Sequence, residues 1–242
     1  MAEPEPATAA VPGHGPVGGG RTMEPDLRRM TRINLRPIAS PLPLGFYSVA
    51  IASVIVGCFQ IGLFEEGAHR AVGLAILPAF VLQLLVSYFA FGARDVLAAT
   101  LMACFSGLWL VNSLTLVVDA PGGARVLGVL NAVFALFAVL MASVATPKRA
   151  LWLVLCAAVP RFGVAALANL TGADWVGTVS GVLGLVLAAV ALYTAFALML
   201  EDMRGEPVLP IGRSGPAHRA VEGDLTVQLR NLERQAGVRR TL

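Results

Sequence analysis

The sequence predicts an all-α integral membrane protein of six transmembrane helices with both termini cytoplasmic. Composition is the first observation. Of 242 residues, 57% are hydrophobic and 14% charged, with a mean hydropathy of +0.75, which leaves too little polar surface to cover a water-soluble domain. The second is block length: a bilayer core about 30 Å thick is crossed by roughly 20 apolar residues in a helix, and blocks of that length recur along the chain. They are continuous in Leu, Ala and Val instead of alternating, so each must satisfy its own backbone groups as a helix, and a β-barrel is excluded. The third is the placing of Lys and Arg.

Residues 1–39 are rich in Ala, Pro and Gly and read as a disordered cytoplasmic tail. The tail opens with Glu3 and Glu5, unlike the basic start of a cleavable signal peptide, so insertion falls to the first span. Its glycines, Gly13, Gly15 and Gly18 to Gly20, have neither the preceding strand nor the following Gly-Lys-Ser/Thr of a phosphate loop. The transmembrane domain is expected over 40–212. Its foot is the run Ser40-Pro41-Leu42-Pro43-Leu44-Gly45, where the prolines bar helix before Leu44 while Pro43 suits a first helical turn. Span one is read as Leu44 to Phe64, span two as Val72 to Phe91 and span three as Val96 to Val118. Span four follows as Val126 to Ala145, five as Leu151 to Leu170, and six as about Gly177 to Leu200.

Arg21, Arg28, Arg29, Arg32 and Arg36 precede span one. Arg94 joins spans two and three, Lys148 and Arg149 join four and five, and an Arg-rich tail follows six. The opposite loops hold Arg70 and Arg125 beside Glu65, Glu66, Asp119 and Asp174. The positive-inside rule therefore places both tails in the cytoplasm, as an even number of spans requires. The net charge of +3 and pI near 9.1 serve topology and attract anionic membrane lipids. Because the basic residues are not interleaved with aromatics, no nucleic acid is expected as a partner. Residues 213–242 are expected to form a cytoplasmic tail with an amphipathic helix. Val221, Leu225, Leu229 and Leu232 recur at helical spacing, with Glu222 and Asp224 early and Arg230, Arg234, Arg239 and Arg240 late. Surface docking, self-association and partner binding all fit such a helix.

Inside the membrane, Cys58, Cys104 and Cys156 all fall in spans and read as buried packing residues. His14, His69 and His218 lack ligand spacing, so no metal is expected. No cofactor is expected, and with no Ser/His/Asp or Cys/His set in the spans, no enzyme. Ser53 with Gly57, Gly177 with Gly181, and Gly184 with Ala188 form small-xxx-small rows that let helices approach, within or between subunits. Trp152 and Trp175 suit an aromatic belt, whereas Trp109 lies mid-span.

Arg161, after Pro160 near the middle of span five, costs about 2.5 to 3.5 kcal/mol on insertion scales and is too deep to snorkel. Two uses fit it: facing a permeant anion, or hydrogen bonding to carbonyls and polar side chains such as Gln60, Gln83, Asn112 or Asn131. Asp95, Asp119, Asp174 and Glu201 all stand at span ends, which disfavours a buried carboxylate proton relay.

Ser40-Pro41-Leu42-Pro43-Leu44-Gly45 resembles the Asn-Pro-Ala-Pro-Leu-Gly signature of the acetate/succinate uptake transporter family (YaaH-type). Gln83, then Phe91-Gly92-Ala93-Arg94-Asp95, then Thr100 and Phe105-Ser106-Gly107-Leu108-Trp109-Leu110, are similar to its second signature. Thr146 and Lys148, Tyr193 and Ala195, and Val208-Leu209-Pro210-Ile211-Gly212 extend the likeness through Gly212. The resemblance implies a six-span permease or channel for small carboxylates with protons, in the cell membrane, assembled as a hexamer. It places Pro43 and Gly45 at the mouth of the path, Val49 near a constricting Phe, and Phe105 at a pore-lining Tyr. Gln60 falls in a run that is polar in the family, Pro160 at a pore-lining Leu, and Arg161 one residue beyond. Departures from the family at these positions leave its scaffold shared but not its acetate-selecting pattern, and a cation in a dry pore favours an anion over the neutral acid. The expected function is a permease or channel for an acetate-like mono- or dicarboxylate, with a path bounded by spans one, three and five. The alternative is a non-transporting sensor or scaffold that keeps the fold.

Overall fold

A computed structural model describes residues 39–65, 67–119, 121–204 and 208–210. Among these residues six helices cross the fold: α1 (Leu42–Gln60), α2 (His69–Gly92), α3 (Val96–Val118), α4 (Gly123–Val144), α5 (Arg149–Thr171) and α6 (Asp174–Arg204). All six are long and apolar enough to span a bilayer. The expected N-terminal tail up to residue 38 and the amphipathic tail at 213–242 lie outside the described residues.

Helix ends follow from local chemistry. α1 begins at Leu42, two residues before the sequence reading, because Pro43 sits in the first turn, where a missing N–H costs nothing. It stops at Gln60, four residues short of the expected Phe64. There Gly62, at φ +79°, turns the chain so that its N–H bonds to the Phe59 carbonyl and the Leu63 N–H to that of Cys58. This is the paired-bond stop that a left-handed glycine permits. Arg94, at φ 58°, makes the same stop for α2, and the next residue caps α3: Asp95 Oδ1 accepts from the Ala98 N–H at 3.1 Å. A two-residue corner thus joins α2 to α3.

The helices form a ring in which each packs on its sequence neighbours and α6 closes against α1, with the α3–α4 seam the thinnest. Small residues set the close crossings. A Cβ on Gly181 would lie 2.9 Å from the Gly57 carbonyl oxygen, so α1 and α6 meet backbone to backbone within the chain. α2 and α3 do likewise at Gly73, whose carbonyl accepts from Ser113 Oγ at 2.7 Å.

An ion pair and a histidine–carboxylate contact mark the ends of the bundle. Asp95 pairs with Lys148 at the end where α2 meets α3 and α4 meets α5. His69 Nε2 lies 3.7 Å from Asp119 Oδ2 at the opposite end. The principal core occupies the Asp95–Lys148 half, with Phe46, Val49, Met102, Phe105, Leu151 and Leu155 among its buried members. Leu209, beyond α6, packs against this core. Trp152 and Trp175 are exposed at opposite ends, as a belt requires, while Trp109 is buried among Ala52, Ile76 and Ala79. The cysteines correct one expectation. Cys156 is exposed on the outside of the bundle and Cys58 and Cys104 are half-buried, because an apolar span in lipid has no need to turn a small thiol inward.

Candidate functional site

The half of the bundle opposite that core is not filled. A cavity of about 120 Å³ lies there among α1, α3, α4 and α5, with Leu187 of α6 on its wall. Its polar lining is Ser53, Gln60, Asn112, Asn131, Asn169 and Arg161, and Val56, Leu108, Leu116 and Leu127 supply apolar wall. Such a volume takes several waters, since roughly 10–15 Å³ accommodates one.

Arg161 is the charged member, 7% exposed. Its Nη1 donates to the hydroxyl of Ser180 on α6, its one hydrogen-bond partner among the described residues. Room for the side chain comes from Gly184, one turn further along α6, where a Cβ would stand 2.9 Å from Arg161 Nε. Part of the small-residue row of α6 is therefore a cradle for a guanidinium. Among the described residues no carboxylate lies within ion-pair distance of Arg161, and four of its five N–H donors remain uncommitted to protein.

The asparagines are oriented by their own helices. Asn112 Nδ2 donates to the Leu108 carbonyl and Asn131 Nδ2 to the Leu127 carbonyl, each at 2.8 Å. A backbone carbonyl accepts only a donor, so each amide is fixed with its nitrogen toward the helix, and its oxygen is left as an acceptor.

The residues expected to line a path divide into four groups. Arg161 and Gln60 both line the cavity, and so do Asn112 and Asn131. Gln83, the fourth named neighbour of Arg161, is fully buried on α2 and does not line it. Val49 and Phe105 stand in the core below the cavity floor. Phe105 meets Phe162 edge to face at 5.5 Å, and Phe134 at 5.8 Å. Phe162 is itself a lining residue, so Phe105 stands one aromatic ring behind the cavity. Pro43 and Gly45 are buried at the far end of α1, where a Cβ on Gly45 would lie 2.8 Å from Met102 Sδ. Pro160 is exposed on the outer face of α5. One helical step of about 100° separates it from Arg161, so it does not line this cavity and acts through the backbone donor it lacks. Ser180 carried no sequence signal, since a hydroxyl in an apolar helix is as often bonded to its own preceding turn.

The cavity wall is drawn from α1, α3 and α5, the spans named for the expected path, and from α4. A sequence profile of the GPR1/FUN34/yaaH family matches residues 19–205. Over 185 residues the chain is 25% identical to the succinate-acetate/proton symporter SatP of Escherichia coli (strain K12), covering 73% of this chain and 97% of that one. The protein of the same name from Shigella flexneri matches to the same extent. The structure of the bacterial acetate channel SatP superposes with a TM-score of 0.64 at 22% identity, covering 72% of this chain and 99% of that one. The six-helix fold is shared.

Proposed function

We propose, from the premise that the chain belongs to the GPR1/FUN34/yaaH family, that it is a multi-pass permease or channel of the cell membrane that passes a small carboxylate such as acetate. The relatives' described substrates, succinate and acetate, supply the class. The observation that carries the reading is Arg161, a buried cation without a carboxylate partner among the described residues, on the wall of a cavity inside the bundle.

A guanidinium facing low-dielectric surroundings attracts a desolvating anion far more strongly than it does in water. Its planar donors match a carboxylate's two oxygens. Arg161 thus offers a resting place midway through α5, replacing part of the water a carboxylate sheds on leaving the aqueous phase. The core around Val49 and Phe105 closes the way beyond it, so passage requires those side chains to part. Both tails face the cytoplasm in this reading, and the protein works as a homo-oligomer, the hexamer being the assembly the family resemblance implies.

Proteoliposomes containing the protein are expected to take up labelled acetate or a similar short-chain acid faster than empty vesicles. Arg161→Gln is expected to reduce that uptake about tenfold or more, the scale of losing one charged hydrogen-bonded contact. Uptake no faster than in protein-free vesicles across a panel of short-chain acids would overturn the proposal.

A further inference from the structure

The lining of the cavity narrows the substrate class beyond a simple carboxylate. We infer that the cavity is built for a short monocarboxylate that also carries a hydroxyl, a 2-hydroxy acid, in preference to the unsubstituted acid of the same chain length. The inference rests on the carboxylate reading above and refines it.

Charge comes first. Arg161 is the single cationic residue lining the cavity, and a second carboxylate would find only neutral groups, the Ser53 hydroxyl, the Trp109 indole N–H and the amides, among apolar wall at Val56, Leu116 and Leu127. A divalent anion would therefore keep one charge uncompensated away from water, at a large desolvation cost. One carboxylate matches one guanidinium.

The asparagines then ask for a donor. Their amide nitrogens are committed to the Leu108 and Leu127 carbonyls, which leaves the oxygens of Asn112 and Asn131 as acceptors without a partner among the described residues. Asn131 is 4% exposed, and on the same wall Gln60 Oε1 is a buried acceptor without a hydrogen-bond partner among the described residues. An ionised acetate or propionate has no donor to offer such oxygens. A hydroxyl one carbon from the carboxylate does, and it also accepts from whatever donor remains nearby. An amine in that position would add a positive charge, and no acidic residue lines the cavity to receive it. The combination of one cation and two fixed acceptors is complementary to a hydroxy acid and mismatched to an alkyl acid, because sites discriminate most strongly where a missing ligand group leaves buried polar atoms unpaired.

The test is uptake into proteoliposomes at pH 7, where all the acids used are anions, comparing glycolate with acetate, lactate with propionate, and succinate with all four. Glycolate and lactate are expected to show KM values about tenfold below their unsubstituted partners, the scale of one well-placed buried hydrogen bond, and succinate is expected to be the weakest. In Asn131→Leu the glycolate-to-acetate ratio is expected to fall to about one. Equal uptake within each pair by the unmodified protein would overturn the inference, meaning that water fills the acceptor sites, while leaving the carboxylate permease standing. Absence of uptake for all five acids would overturn both.

Discussion

Arg161 is held by two features of α6, the Ser180 hydroxyl that accepts from it and the missing side chain at Gly184 that makes space for it. A side chain at 184 would press on the mobile end of the arginine and not on backbone, so it displaces the guanidinium more than it strains the fold. Gly184→Val is accordingly expected to raise the KM for acetate several-fold with little change in the melting temperature of the solubilised protein. Measuring both on one preparation separates the two effects. Arg161 itself was legible in the sequence, since a charge so deep in an apolar span is expensive enough to demand a reason. Its neighbours were legible in part. Asn112, Asn131 and Gln60 are the side-chain amides of their spans, and helix geometry carries them to one cavity. Gln83 looked equivalent but is fully buried on α2 and absent from the cavity lining. Ser180 was not legible, because serine in a membrane helix serves packing and hydrogen bonding alike.

At the scale of the helix, the six spans were readable because hydrocarbon thickness imposes a length that no soluble helix has to meet. Their ends were less so. A run of apolar residues continues through Ile61, Leu63 and Phe64, and only the left-handed turn at Gly62 stops α1 before it does. The glycine rows looked uniform in sequence, yet the structure separates them. Gly181 abuts the backbone of Gly57, whereas a Cβ on Gly177 meets nothing within 4 Å. Gly181→Val is therefore expected to lower stability by about 1–3 kcal/mol through overpacking of the α1–α6 crossing. Gly177→Ala is expected to be neutral or slightly stabilising, since alanine favours helix over glycine by about 1 kcal/mol. Thermal unfolding of the two variants in one detergent checks the contrast.

Across the whole molecule, the loops alternate between two ends, one marked by Asp95 with Lys148 and the other by His69 with Asp119. The surplus of Lys and Arg on the first side predicts which end faces the cytoplasm. In a variant with Cys58, Cys104 and Cys156 replaced by Ala, a single cysteine at Leu63 is expected to react with a membrane-impermeant maleimide on intact cells. A cysteine at Thr146 is expected to react only after permeabilisation. The reverse pattern would invert the topology.

The buried layer between the cavity floor and the Asp95–Lys148 end has a bearing on the cell's energy economy. Phe46, Val49, Met102, Phe105, Leu151 and Leu155 supply no polar group, and the buried hydroxyls of Ser48, Ser106 and Thr194 are spent on the carbonyls of Gly45, Phe80 and Val190. Hydrogen ions hop only where a chain of waters persists. A layer sealed in this way is expected to keep proton leak through the resting protein near that of bare bilayer, which would let the protein reside in an energised membrane without short-circuiting it.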